Sequence, residues 1–207
     1  FMSNWAIVPV KEISSSKSRL STVLADIDRE TLVIDLFIRT LSVLQIVNSI
    51  EKTIVISRDS DMLDLATKSE ALAIRENDNS DLNSAIQQAT FDAISFGSTG
   101  ILVLPADLPL LSVDDVNNMT DYEKLDKILM IVPDRHGIGT NALFVKPPGF
   151  LKYQFGVNSF VSHKREAQRM KAELFINHYP NVEFDIDSPD DLRRLSEMDF
   201  SLHNEEV

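Results

Sequence analysis

The sequence predicts an α/β domain with a mostly parallel sheet between helical layers, a three-layer α/β/α architecture. Two observations carry this. Short β-rich runs alternate with longer segments of helical period, which implies crossover connections between parallel strands. One run, residues 101–104 (ILVL), is apolar at every position, as in a central parallel strand covered on both faces. The chain of 207 residues suits one domain, expected over residues 2–200, with 201–207 as a frayed polar tail. Phe1 before Met2 reads as an added residue.

The elements follow in order. Residues 5–10 (WAIVPV) read as a buried strand. Residues 29–47 carry Leu32, Val33, Leu36, Phe37, Thr40, Leu41, Leu44 and Val47, the three/four spacing of an amphipathic helix. Residues 53–57 (TIVIS) are a second strand. Asp59 is placed to cap a helix over 62–68. Residues 72–75 are a weak third strand, and 81–96 a helix ended by Gly97, with Gly100 opening the central strand. Ser112 caps a short helix. Residues 128–132 and 141–145 are strands, 162–174 a helix, 182–186 a last strand, and 188–198 a last helix with Pro189 at its first position.

Composition narrows the function. Hydrophobic residues at 43% and charged residues at 25% exclude a disordered chain. The absence of cysteine excludes disulfides, thiolate metal sites and cysteine nucleophiles, and fits a cytoplasmic setting. A net charge of −12 argues against nucleic-acid polymers and anionic membranes. No apolar run reaches the roughly 20 residues of a membrane span, and residues 5–10 are too short for a signal peptide.

Standard signatures are missing: there is no phosphate loop, no nucleophile elbow and no paired-histidine metal spacing. Residues 137–142 match G-x-G-x-x-A, but a β-like run follows where a dinucleotide site needs a helix.

Five segments hold chemistry. The loop after the first strand (KEISSSKSRL, 11–20) has three cations and one anion and lies where open α/β sheets bind ligands. Its small hydroxylated residues allow backbone N–H groups to approach an anion, and Lys17 and Arg19 can neutralise phosphate. A solvated surface loop is the competing reading. Asp107, in PADLPLL after the central strand, is held between prolines and suits Mg²⁺, which takes oxygen ligands and substrate phosphates; the alternative is a turn or cap. In FDIDSPDDL, alternation places Asp185 and Asp187 on one face, while Asp187 or Ser188 can cap the last helix. Residues 133–142 (PDRHGIGTNA) and 155–160 (FGVNSF) offer glycines, hydroxyls and a helix start to an anion, or are plain glycine turns.

Together these segments, in order, resemble the 2-phospho-L-lactate guanylyltransferases of coenzyme F-420 biosynthesis. The motifs are VPVK-x5-KSRLS, PADLPLL, PDR-x-G-x-GTNAL, FG-x2-SF-x-xH and DIDSPDDL, spread over about residues 6 to 195. The wider superfamily is that of nucleotide-diphospho-sugar transferase-like nucleotidyltransferases, which implies a Rossmann-like fold.

The resemblance implies a reaction in which the phosphate of 2-phospho-L-lactate attacks the α-phosphorus of GTP, giving lactyl-2-diphospho-5′-guanosine and pyrophosphate. Related enzymes use phosphoenolpyruvate, and a sugar phosphate or molybdopterin are wider alternatives. It implies Mg²⁺ on Asp107 with Asp187 or Asp185, catalytic roles for Lys17 and Asp107, and GTP phosphates held by Lys11, Lys17 and Arg19. It places the acceptor at Thr140, Gly156 and Ser159. Glu76 or Asn83 is the expected guanine reader. The loop lacks the G-G-x-S-x-R-M-G run of the wider superfamily, which favours the lactyl branch. A homodimer is the base-rate assembly. A catalytically silent nucleotide-binding regulator is the contrasting class, opposed by the presence of Lys17, Asp107 and Thr140.

Overall fold

The computed structural model describes residues 3–13 and 16–198. The readings of Phe1, of Ser14 and Ser15, and of the 201–207 tail fall outside these residues. The described residues form a seven-stranded sheet flanked by helices. Its strands are β1 (Asn4–Val10), β2 (Lys52–Ser57), β3 (Leu72–Arg75), β4 (Gly100–Val103), β5 (Ile128–Pro133), β6 (Thr140–Lys146) and β7 (Glu173–Ile176). Their order in the sheet is β3-β2-β1-β4-β6-β5-β7. All neighbours are parallel except β6, which runs antiparallel to both β4 and β5. The central run 101–104 is thus covered on both faces as predicted, but parallel on one edge only.

The helices are α1 (Asp26–Ile46), α2 (Ser60–Lys68), α3 (Leu82–Ser95), α4 (Val113–Thr120), α5 (Ser159–Met170), α6 (Pro180–Glu183) and α7 (Pro189–Glu197). The predicted caps hold: the Asp59 carboxylate accepts from Asp61 N and Met62 N, and Ser112 forms a reciprocal capping box with Asp115.

Strand alternation divides the core in two. Ala6, Val8 and Val10 of β1 face α1, α2 and α4, packing with Phe37, Leu41, Met62 and Met119. Trp5 and Ile7 face the opposite layer, with Ile86, Ala89 and Ala93 of α3 and Ala167 of α5. A third cluster of Leu20, Leu36, Phe184, Ile186 and Leu195 ties the opening loop to the closing segment.

Two predicted elements are corrected. The helix expected over 162–174 stops at Met170, because Lys171 takes a left-handed conformation (φ 52°) as C-cap. Its backbone N–H closes on Ala167 and Gln168, and residues 173–176 then pair with β5 as the edge strand β7. The last strand expected over 182–186 is absent: Pro180 opens the short helix α6, and residues 184–187 follow without a ladder. The segment keeps a strand's alternating burial, with Phe184 and Ile186 inside. A period-2 pattern therefore misled the sequence reading about pairing but not about sidedness. The G-x-G-x-x-A match opens β6, as its flanking sequence indicated.

Candidate active site

The carboxyl ends of the parallel strands set the site. β1 runs into the loop carrying Lys11 and Lys17; β4 runs into Pro105, Ala106 and Asp107. The closing segment brings Asp185 and Asp187 alongside, because the Ile186 side chain is fully buried beneath them. Ile186 N also donates to Asp107 O at 3.3 Å, which fixes the two segments to each other. Asp107, Asp185 and Asp187 each offer an oxygen, and these oxygens lie within 4.8 Å of one another.

The three carboxylates differ in their surroundings. Asp107 Oδ1 is buried without a hydrogen-bond partner, while Oδ2 receives the Lys17 ammonium. Asp185 is pushed above the ordinary carboxylate range by burial first, then by the like charges of Asp107 and Asp187. Asp187 takes the second bond from Lys17, at 2.9 Å. A cluster of oxygen-only donors, one of them buried and unpaired, fits a hard divalent cation such as Mg²⁺.

Lys17 is nearly buried, with its side chain 9% exposed. Burial disfavours its ammonium, but attraction to Asp107 and Asp187 outweighs that, and its pKa is raised. It occupies a left-handed conformation (φ 53°) just before a 3₁₀ turn over Ser18–Thr22, whose Leu20 is anchored in the third core cluster. Of three ammonium donors, two are used by carboxylates, which leaves one for a phosphate.

A cleft of about 690 Å³ extends from this cluster. Lys11, Lys17, Arg19, Asp107 and Asp187 line one part of it, and Arg58, Glu76 and Ser80 also line it, with apolar Ile56, Leu82 and Ala85. Arg19 is 77% exposed and reaches Asp187 only at 3.9 Å. Glu76 Oε1 accepts from Arg58 Nη2 at 3.0 Å and from the Ser80 hydroxyl.

Asn83 does not line this cleft. Its Oδ1 accepts from Phe155 N at 2.7 Å and its Nδ2 donates to Phe155 O at 3.0 Å. Sitting in the first turn of α3, it clasps the Phe155 backbone with both amide atoms. Arg58 was missed, although it follows β2 directly, where the strand-end rule that selected Lys11 and Asp107 applies equally.

Thr140, Gly156 and Ser159 lie outside the cleft lining. Thr140 precedes Asn141, whose Nδ2 donates to Val182 O at 3.0 Å and reaches Asp185 Oδ1 of the carboxylate cluster at 3.4 Å. Phe160 N donates to Ile138 O, and Thr140 Oγ1 lies 3.0 Å from His163 Nδ1, so the start of β6 abuts the first turns of α5. Ser159 N is taken by Gly156 O at 3.1 Å, leaving the Ser159 hydroxyl as its remaining donor. Gly156 has φ +125°, a conformation a side chain would strain. Asp191 caps the closing turn, accepting from Asp187 N and Ser188 N, and pairs with Arg135 at 2.5 Å. Capping thus falls to Asp191 and Ser188, which frees Asp187 for the cluster.

The profile of the family described as "Guanylyl transferase CofC like" matches residues 4–204. A phosphoenolpyruvate guanylyltransferase of Rubrobacter xylanophilus is 37% identical over 194 residues, covering 94% of each chain. A 2-phospho-L-lactate guanylyltransferase of Methanocaldococcus vulcanius is 33% identical over 193 residues, 91% of this chain and 82% of the relative. Among solved structures, a Desulfovibrio desulfuricans protein assigned to the nucleotide-diphospho-sugar transferases superposes with a TM-score of 0.76. It shares 15% identity and covers 100% of this chain and 90% of the other. That likeness shows the fold. Among the described residues no helix is long and apolar enough to cross a membrane.

Proposed function

The chain belongs to the CofC-like guanylyl transferases, and from that premise we propose that it joins GTP to 2-phospho-L-lactate, giving lactyl-2-diphospho-5′-guanosine and pyrophosphate. The observation that carries the reading is the convergence of Asp107, Asp185, Asp187 and Lys17 at one end of the cleft. Phosphoenolpyruvate is the second reading, favoured by the 37% identical relative of that name. Both acceptors present a phosphate beside a carboxylate.

The attacking phosphate oxygen forms a bond to the α-phosphorus as the bond to the pyrophosphate oxygen breaks. That oxygen is ionised at neutral pH, so no base is needed, and the barrier lies in bringing two anions together. Asp107, Asp185 and Asp187 would hold a divalent cation, Mg²⁺, which when bound neutralises phosphate charge. Lys17 contributes one free N–H to the triphosphate, and Lys11 and Arg19 add positive charge at the cleft wall. Glu76 supplies a carboxylate suited to the N1–H and N2–H donors of guanine. Thr140, Ser159 and the Gly156 backbone receive the acceptor's anionic oxygens.

Division of the two substrates between these groups is testable. Thr140→Val and Ser159→Ala each remove one hydroxyl donor, with an expected loss of roughly 1–3 kcal/mol, about 5–150-fold, in kcat/KM for the acceptor. GTP affinity, measured by isothermal titration, should stay within twofold. Weaker GTP binding with normal acceptor use in both variants would move these residues to the nucleotide side and favour a larger acceptor.

A further inference from the structure

His163 stands one helical turn after Ser159 on the same face of α5. Its ring is fully buried and bonded at both nitrogens. Nε2 lies 3.0 Å from the backbone N of Gln154. A backbone N–H can only donate, so Nε2 must hold a lone pair. A neutral ring then carries its proton on Nδ1, which lies 3.0 Å from Thr140 Oγ1. Thr140 Oγ1 therefore accepts, and its own hydroxyl proton cannot point at the imidazole. Among the described residues the Thr140 hydroxyl has no other partner. Phe155 packs edge-on against the ring, with centroids 4.8 Å apart and planes at 73°, which holds its rotation.

We propose that His163 is a positioning residue: as the Nδ1–H tautomer it occupies the lone pair of Thr140 and commits the Thr140 hydroxyl proton to an oxygen of the phosphorylated acid. The inference rests on Thr140 contacting the acceptor. Burial holds the imidazole pKa down at about 4, so the ring stays neutral at working pH. The bond from Gln154 N to Nε2 fixes the tautomer that directs the hydroxyl.

Two amide substitutions separate the two bonds of the ring. An asparagine amide nitrogen overlays Nδ1, so His163→Asn keeps a donor to Thr140 and loses the bond to Gln154. A glutamine amide oxygen overlays Nε2, so His163→Gln keeps the loop bond and loses the donor to Thr140. Pyrophosphate release is followed with GTP and, in separate runs, 2-phospho-L-lactate and phosphoenolpyruvate. His163→Asn should stay within threefold of wild type in acceptor KM, while His163→Gln raises it about tenfold. The GTP KM should be unchanged in both, and His163→Gln should add less than twofold in a Thr140→Val background. Equal losses in the two amides, or a silent His163→Gln beside an impaired Thr140→Val, would overturn the inference. A silent Thr140→Val would instead remove the acceptor reading on which it rests. A nitrogen-15 correlation spectrum of the wild-type chain tests the tautomer without any variant: a proton on Nδ1 is expected, and a proton on Nε2 contradicts the proposal.

Discussion

Asp107→Asn lowers kcat by about 100-fold or more, on the order of 3 kcal/mol of transition-state stabilisation. The substitution keeps side-chain shape and removes one charge from the carboxylate cluster. Asp107 is the member with a buried, unpaired oxygen, so it has the most to offer a cation. Folding should survive, because Leu104 and Leu108 on either side are fully buried and the backbone bond from Ile186 N does not involve the side chain. The checks are steady-state kinetics across an Mg²⁺ titration and a thermal melt. Near-wild-type turnover at limiting Mg²⁺ would take Asp107 out of the site.

The second large effect is expected at Lys17. Lys17→Ala removes the ammonium that lies between Asp107 and Asp187 and leaves their charges facing each other. A hydrogen bond to a charged group contributes about 1.5–3 kcal/mol, so kcat/KM for GTP should fall about 10–150-fold. The acceptor KM should stay within twofold. The sign of the pH effect follows from the raised Lys17 pKa. Its ion pairs contribute stability that is fully present below the unfolded value near 10.5 and is lost as pH rises through the folded value. Wild type should therefore lose more stability than Lys17→Ala on passing into that alkaline range, as read by urea melts. A rise in acceptor KM alone would show that the opening loop serves the other substrate.

How much of this was legible in the sequence depends on the kind of signal. Strand ends were readable, because apolar runs such as 101–104 bury on both faces and the next residues must emerge at the ligand edge. That logic found Lys11 and Asp107, and would have found Arg58 had it been applied after β2. The closing segment was half legible. Alternation put Asp185 and Asp187 on one side, which holds because Phe184 and Ile186, which alternate with them, are buried. Absence of a pairing partner was not readable, since pairing depends on which edges the rest of the fold leaves open. The same limit hid β7, whose four residues pair with β5 only after the left-handed turn at Lys171. Asn83 shows a contact the sequence does not announce. Its residue type suits base recognition, yet tertiary contact commits its amide to the Phe155 backbone. No local pattern announces the orientation of His163, because it is defined by bonds to two segments outside its own helix, at Thr140 and Gln154.

The central claim, guanylyl transfer to a small phosphorylated acid, is tested most directly by pyrophosphate release from GTP. The purified chain is given Mg²⁺ and, in parallel, 2-phospho-L-lactate, phosphoenolpyruvate, a sugar 1-phosphate or no acceptor, with Asp107→Asn as the control. The account predicts release that requires GTP, Mg²⁺ and one of the two three-carbon acids, and that collapses in Asp107→Asn. Release with the sugar phosphate but with neither acid, or undiminished release from Asp107→Asn, would contradict it.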